Sequence, residues 1–480
     1  MNLSALRDMR ISVTRFLIVA ALVTLGVAVQ QHYRVTLKLQ DPLGGHINDF
    51  DRWMIMAPRF LHDRVDYVDD RLPTPPLSLL VLAPFTLLSR PAAQFVWVCL
   101  KLPLAALVFA FSAAIVRRSG ARLTPSAVAL MVACWWLPVI LDMQEGQVNF
   151  LALVPLVAAL LVVQNNTVRS DISAGALIGL AAAVKVTPVI FAAYFLWKRR
   201  WIVATAAVVS LAVWLLVVPA IAFGWDQNLR WLDQWTRIMI VPYVTNGTVV
   251  YAVSQSFGSF LLRLLSAVPA FESNRQDLVL SHSMNVAALA QPAVFQLVRG
   301  AMMAVAAVGL VWMRRPLPTL HCRQYLLEIG AVAAFMLWFS ERTWVHHYVS
   351  FILTLSAAGA ILSDVTEPEA SRRLVKHALI VFSIATFFAS EAGRVFGPDG
   401  VDWAKSFGVF LWPSVFLVFA AIRPALAEVT DTLPHVHRDG LPLRQAQGIP
   451  SVGRGMKTVP YREGTRRMTA GELEPVGDGL

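Results

Sequence analysis

The sequence is poor in charge for its length. Only 15% of its 480 residues are Asp, Glu, Lys or Arg, while 57% are hydrophobic. Soluble domains carry about 25% charged residues, so this chain has too few to cover a water-facing surface. That excludes a soluble enzyme, a nucleic-acid-binding domain and a disordered protein. Cysteine is also scarce. Cys99, Cys134 and Cys322 show no paired spacing, which argues against a disulfide framework and against a zinc site. Acids are outnumbered by bases, 30 to 41. In a chain solvated by lipid, the surplus of +11 fits cytoplasmic anchoring and contact with anionic lipid, not nucleic acid. The acids form no paired-carboxylate cluster, so no metal or other cofactor is called for. Neither an internal repeat nor a transporter-like inverted repeat is visible.

What the chain does have is apolar runs. Ile11–Gln30 follows a short basic start and is longer than the core of a signal peptide, so it reads as a retained anchor. A polar stretch, Gln31–Pro75, comes next. Pro76–Ser89 is apolar but short for a span and begins on proline, so it reads as a helix lying in the interface. Spans are then expected at Ala93–Val116, Pro125–Leu141, Phe150–Val163, Ile172–Val184, Val189–Trp197 and Trp201–Phe223. Five more follow at Val294–Met313, Tyr325–Phe339, Val345–Leu362, Leu374–Ala389 and Phe407–Ala421. Ile172–Val184 and Val189–Trp197 flank Val-Lys-Val-Thr-Pro and read as one broken helix or two short ones. The expected fold class is an all-α polytopic membrane protein of about 12 spans.

With the N-terminus in the cytoplasm, Arg117-Arg118, Lys198-Arg199-Arg200, Arg314-Arg315 and Arg372-Arg373 all fall on the cytoplasmic side. This is the positive-inside pattern. The arginines of the first outer loop run against it. The expected domains are a membrane unit over 1–426 and a polar, disordered cytoplasmic tail over 427–480. Within the membrane unit, 31–75 is the first outer loop and 225–293 the large outer loop.

This orientation gathers unusual polar groups on the outer side: Asn48-Asp49-Phe50-Asp51, Gln144 to Asn149, Lys185, Ser254-Gln255-Ser256 with Arg263, and Arg342 with His346-His347-Tyr348. Each has an ordinary reading. Asp49 and Asp51 suit a solvated loop. Gln147 and Asn149 suit a cap or an interhelical bond. Lys185 suits snorkelling, Arg263 headgroup contact, and the histidines helix bridging. Their joint placement on one side favours a site, because ionisable groups at bilayer depth are costly.

The order and spacing of these residues resemble glycosyltransferase family 87, polytopic enzymes of the GT-C superfamily. An acid followed by an aromatic stands in the first outer loop as Asp49-Phe50-Asp51-Arg52-Trp53. A Gly-Gln-x-Asn motif reads Gly146-Gln147-Val148-Asn149, and a Lys-x-x-Pro motif reads Lys185-Val186-Thr187-Pro188. An Asn-Gln-Ser-like element reads Ser254-Gln255-Ser256 with Arg263 downstream. A Trp-x-His-His-Tyr element reads Trp344-Val345-His346-His347-Tyr348. The chain departs from the family at Leu72-Pro73-Thr74-Pro75-Pro76, where a tyrosine often opens the run, and at Ser254, where asparagine is usual.

The resemblance implies a GT-C-like bundle in the bacterial inner membrane, with both termini cytoplasmic and the active site facing outward. It implies a hexosyltransferase moving a sugar, commonly mannose, from a polyprenyl-phosphate donor to a hydroxyl of a lipid or glycan acceptor. Asp49 would be the general base, with Asp51 the rival candidate. Lys185, Arg263 and His346 or His347 would hold the phosphate, and Gln147 and Asn149 would orient the sugar or the loop. Gln255, Arg342 and Asp51 complete the substrate-binding candidates. Membrane lipids are the other expected partners. The competing class is a transporter or flippase for a lipid-linked or anionic solute.

Overall fold

The computed structural model describes residues 3–41, 45–62, 67, 74–245, 254–275, 278–340 and 342–431. The expected tail lies outside the described residues apart from its first few, which extend the last helix to Asp431. A helix occupies each of the twelve segments expected to span. We number the longer ones α1 (Leu3–Leu39), α2 (Asp49–His62), α3 (Arg90–Arg118), α4 (Pro125–Gln144), α5 (Asn149–Val162), α6 (Val168–Val184), α7 (Val189–Trp197) and α8 (Trp201–Ala212). The numbering continues with α9 (Trp225–Trp235), α10 (Phe257–Leu265), α11 (Gln291–Trp312), α12 (Arg323–Trp338), α13 (Ile352–Ser363), α14 (Glu369–Phe388) and α15 (Leu411–Asp431). Among the described residues, five helical stretches are long and apolar enough to cross a membrane: Arg90–Arg118, Pro125–Gln144, Trp201–Phe223, Gln291–Trp312 and Val345–Ser363. A sixth results if Gly400–Ser406 and Leu411–Arg423, bent by 47°, act as one. The chain is an all-α membrane protein.

The helices pack as a continuous bundle. α1 lies on α3, α3 on α5, α5 on α6, and α6 on α8. The last contact is close because Gly175 and Gly179 face α8. A Cβ on Gly175 would stand 2.4 Å from the Val203 carbonyl oxygen, and one on Gly179 2.6 Å from that of Ala207. Small residues four apart let helix backbones approach in lipid.

Three parts of the expected organisation bear on the site. The segment expected as the first outer loop is largely helical among its described residues. α1 runs on to Leu39, and α2 fills 49–62. Phe50, Trp53, Met54, Ala57 and Phe60 are buried at helical spacing on one face of α2. Pro76–Ser89 is a short helix, Leu77–Leu82, followed by a 3₁₀ turn, Ala83–Leu87, with Leu77, Leu79 and Leu82 buried. The segment expected as the large outer loop holds α9, α10 and a small antiparallel hairpin, Phe271–Arg275 with Leu278–His282.

The question left open at Val-Lys-Val-Thr-Pro is answered as two helices. α6 ends at Val184, Lys185 is extended at φ −149° and ψ 124°, and Pro188 precedes α7. Proline disfavours helix at the residue before it and has no N–H to continue the ladder. Lys185 therefore sits in a break between helices, not on a helix face.

Candidate active site

The site is built on the turn between α4 and α5. Gly146 adopts φ +67° there, and a Cβ would lie 2.5 Å from the Phe50 Cβ and 2.8 Å from its backbone nitrogen. Only glycine fits that conformation and that approach. The turn receives the start of α2. Asn48 Oδ1 accepts from the Asp51 N–H at 2.9 Å and so caps the helix, while Asn48 Nδ2 donates to the Gln144 carbonyl at 2.7 Å. The Asp49 N–H donates to the Glu145 carbonyl at 3.2 Å. Phe50 stacks on Trp97 with ring centroids 4.6 Å apart, and Trp97 Nε1 donates to the Gly146 carbonyl at 3.1 Å. The aromatic after Asp49 is thus the anchor of the helix that carries the acid.

Asp49 is half-buried, and its Oδ2 accepts from Gln147 Nε2. Burial pushes its carboxyl above the ordinary aspartate range. The Gln147 bond and the charges of Arg52, His46 and Lys185 pull the other way. Glu145 is also raised, first by burial and then by the Asp49 charge.

Two residues on, the same turn serves a cation. Asn149 Oδ1 accepts from Lys185 Nζ at 2.5 Å, and Asn149 Nδ2 donates to Asp142 Oδ2 at 2.8 Å and to the His346 carbonyl at 3.4 Å. Lys185, Asn149, Thr187, Thr343 and His347 line a partly open cavity, whose empty space of about 430 Å³ includes its solvent-filled mouth. His346 and His347 begin a 3₁₀ helix, Val345–Phe351, with their rings edge to face at 4.4 Å. His347 Nδ1 accepts from the Trp344 N–H at 3.1 Å, so His347 is the one that reaches the cavity wall while His346 is buried behind it.

The remaining candidates sit elsewhere. Asp51, on the opposite side of α2 from Asp49, accepts from Arg90 Nε at 2.9 Å and Nη2 at 2.8 Å. Gln255 spends its amide on the 405–410 segment, donating to the Lys405 carbonyl at 2.7 Å and accepting from the Phe410 N–H at 3.1 Å. Its backbone meets the cavity wall, donating to the Thr343 carbonyl at 2.5 Å. Arg263 is fully buried and donates to the Ser254 and Ser406 carbonyls at 3.0 and 3.1 Å. Arg342 is half-buried on the segment before the 3₁₀ helix, and its carbonyl accepts from Ser340.

Sequence reasoning missed Lys101 and Asp142. They pair at 2.5 Å, both fully buried, and Lys101 Nζ also donates to the Gln147 carbonyl. The signal was present: each is a lone charge within an apolar helix, where an unpaired charge would be costly. Among the described residues, no three His, Cys, Asp or Glu side chains converge as a metal ion would need.

The chain is 26% identical over 305 residues to the polyprenol-phosphate-mannose-dependent α-(1-2)-phosphatidylinositol mannoside mannosyltransferase of Mycobacterium tuberculosis, which covers 60% of this chain and 61% of that protein. It is 31% identical over 150 residues to a polyprenol-phosphate-mannose-dependent α-(1-2)-phosphatidylinositol pentamannoside mannosyltransferase of Mycolicibacterium smegmatis, covering 30% of this chain and 34% of that one. The chain thus aligns with less than two thirds of either relative's length. No solved structure matches it at a significant level. The profile of glycosyltransferase family 87 matches residues 74–341, more than half of the chain. That span contains the Gly146–Asn149 turn, Lys185 and Arg263, and lies between Asp49 and the histidine pair. On this match the chain belongs to glycosyltransferase family 87.

Proposed function

We propose that this protein transfers a hexose, mannose by analogy with its relatives, from a polyprenyl-phosphate donor to a hydroxyl of a lipid-linked or envelope-glycan acceptor. One observation carries the reading: a single turn, Gly146–Asn149, holds an acid through Gln147 and a cation through Asn149. Glycosyl transfer needs both, an acceptor for the hydroxyl proton and positive charge where the phosphate departs. Asp49 takes the proton as the acceptor oxygen attacks the anomeric carbon. The carbon–oxygen bond to phosphate breaks with its electrons on the phosphate, and Lys185 and His347 stabilise that charge across the cavity. A single displacement inverts the anomeric centre. Asp51, Gln255 and Arg263 hold the frame, since their side chains bond to protein. Asn149 and Gln147 orient the two reacting arms.

The same reading supplies the topology: twelve crossings over 1–426, the Pro76–Ser89 helix in the interface, the site facing outward, and both termini in the cytoplasm of a bacterial inner-membrane protein. Four basic clusters support this orientation. It also agrees with the chemistry, because a lipid-borne sugar is the donor available where nucleotide sugars are absent. The test is product formation by purified protein in detergent, supplied with polyprenyl-phosphate-mannose and extracted envelope lipids. A glycosylated lipid is expected. A protein that yields none in detergent but moves the donor across a sealed vesicle is a flippase. Reporters fused after Arg118 and within Gln31–Pro75 are expected to read inside and outside respectively, and the reverse would remove Asp49 from its donor's face.

A further inference from the structure

Lys101 and Asp142 lie behind the site, on α3 and α4, and neither lines the cavity. Their hydrogen bonds reach both arms of the turn. Lys101 Nζ donates to the Gln147 carbonyl, and the Gln147 side chain donates to Asp49. Asp142 Oδ1 accepts from Lys101 at 2.5 Å, its Oδ2 accepts from Asn149 at 2.8 Å, and Asn149 accepts from Lys185 at 2.5 Å. The Lys101 ammonium also lies 5.0 Å from the centroid of the Trp97 ring, and Trp97 holds the Gly146 carbonyl. Trp97, Lys101 and Asp142 thus each bond a different residue of the turn, Gly146, Gln147 and Asn149.

We propose that the Lys101–Asp142 ion pair is a positioning device that sets Asp49 and Lys185 in register with each other, so that proton acceptor and phosphate-holding cation are placed by one buried unit. This rests on the reading of Asp49 as base. The pair touches no substrate. It neutralises itself, which leaves the Lys185 charge for the donor phosphate. It also fixes the Gln147 backbone, and with it the side-chain bond that stabilises the Asp49 anion. The charged and titratable groups facing Asp49 are Arg52, His46, Lys185 and Glu145, and none of them is removed when the pair is changed.

The test is a pH–rate profile with the donor Michaelis constant, measured for purified full-length Lys101→Met and Lys101→Met/Asp142→Asn in detergent with polyprenyl-phosphate-mannose. The double variant leaves no unpaired buried charge, so it carries the test if the single variant does not fold. Both are expected to lose turnover at least roughly tenfold, as misplaced reacting groups do. The donor KM should rise. The acid limb should move to higher pH, because losing the Gln147 bond favours protonated Asp49, and Gln147→Ala should move it the same way. A purely structural pair would lower the folded fraction and leave the limb and KM of the folded protein at wild-type values, which overturns the proposal. Asp49→Asn is run alongside. If it keeps full activity, the base reading falls, and the pair is then decided on donor KM alone: raised supports it, unchanged overturns it.

Discussion

Lys101–Asp142 and Lys198–Glu328 are both buried lysine–carboxylate pairs, and their surroundings differ. Around Glu328 the bonds close on neighbouring helices. Oε1 accepts from Lys198 at 3.0 Å and from Gln324 at 2.9 Å, and Oε2 accepts from the Tyr194 hydroxyl at 2.8 Å. Lys198 uses its other donors on the Met313 and Arg315 carbonyls, at 2.9 and 2.7 Å. This is a closed knot tying α7 to α12 and to the segment after α11. Around Asp142 the bonds lead outward, through Asn149 to Lys185 at the cavity and through Lys101 and Gln147 to Asp49. A saturated pair holds helices together. On the proposed function, a pair whose bonds lead to Lys185 at the cavity and to Asp49 holds the reacting groups for substrate.

The sharpest way to break that comparison is at its outer end. Asp49→Asn is expected to lose about 10²–10⁴-fold in transfer while its size-exclusion profile stays that of the folded protein, since the swap is nearly isosteric. The acid limb of kcat/KM in the unchanged protein should sit above the ordinary aspartate range. Burial raises the Asp49 pKa, the base works only when ionised, and activity therefore falls as pH drops through that raised value. A limb at the ordinary range would leave Asp49 solvated and without this role.

At the closed knot the loss should be in stability. Glu328→Gln strands the buried Lys198 charge and is expected to cost about 3–5 kcal/mol, read as a lower thermal midpoint in detergent. Turnover per folded molecule should be unchanged. A fall in turnover there would erase the difference between the two pairs.

Lys185→Ala should lower kcat roughly 10²-fold and raise the donor KM, because its contact grows as the phosphate departs. Near-normal kinetics would return Lys185 to a snorkelling role. Asp51→Asn gives the smallest effect. It removes the acid that Arg90 grips, at the cost of about 1–3 kcal/mol of stability, and should leave transfer by the folded protein within a few fold of wild type. Loss of chemistry in Asp51→Asn alone would move the base two residues along α2.

Much of the architecture was legible in the sequence, because lipid imposes a simple rule. Long apolar segments become helices, and a helix stands at each of the twelve expected positions. Within the site, Gly146-Gln147-Val148-Asn149 was legible as a motif, and so was the break at Pro188. The helix carrying Asp49 was not settled by the sequence. Its apolar face, Phe50, Trp53, Met54 and Ala57, is interleaved with Asp51, Arg52 and Arg59, and the charges obscured the helical spacing. Arg263 was expected to meet headgroups or phosphate; its buried guanidinium has the Ser254 and Ser406 carbonyls among its partners. Nothing in an amphipathic nine-residue run announces that the 405–410 segment will close over it.

The sequence by itself determined the solvent, the helical class, the order of the polar motifs and the residue types available for chemistry, since each depends on composition and local spacing. Only the tertiary structure decided which polar groups meet. Asp49 and Gln147 are 98 positions apart, and Asn149 and Lys185 are 36 apart. Asp49 meets Gln147 while Asp51 meets Arg90, because Asn48 caps α2 and Phe50 locks its rotation against Trp97. Helix packing sets these partnerships, through the close approach that Gly146 permits and through the charge that Lys101 and Asp142 must neutralise once both are shut away from water.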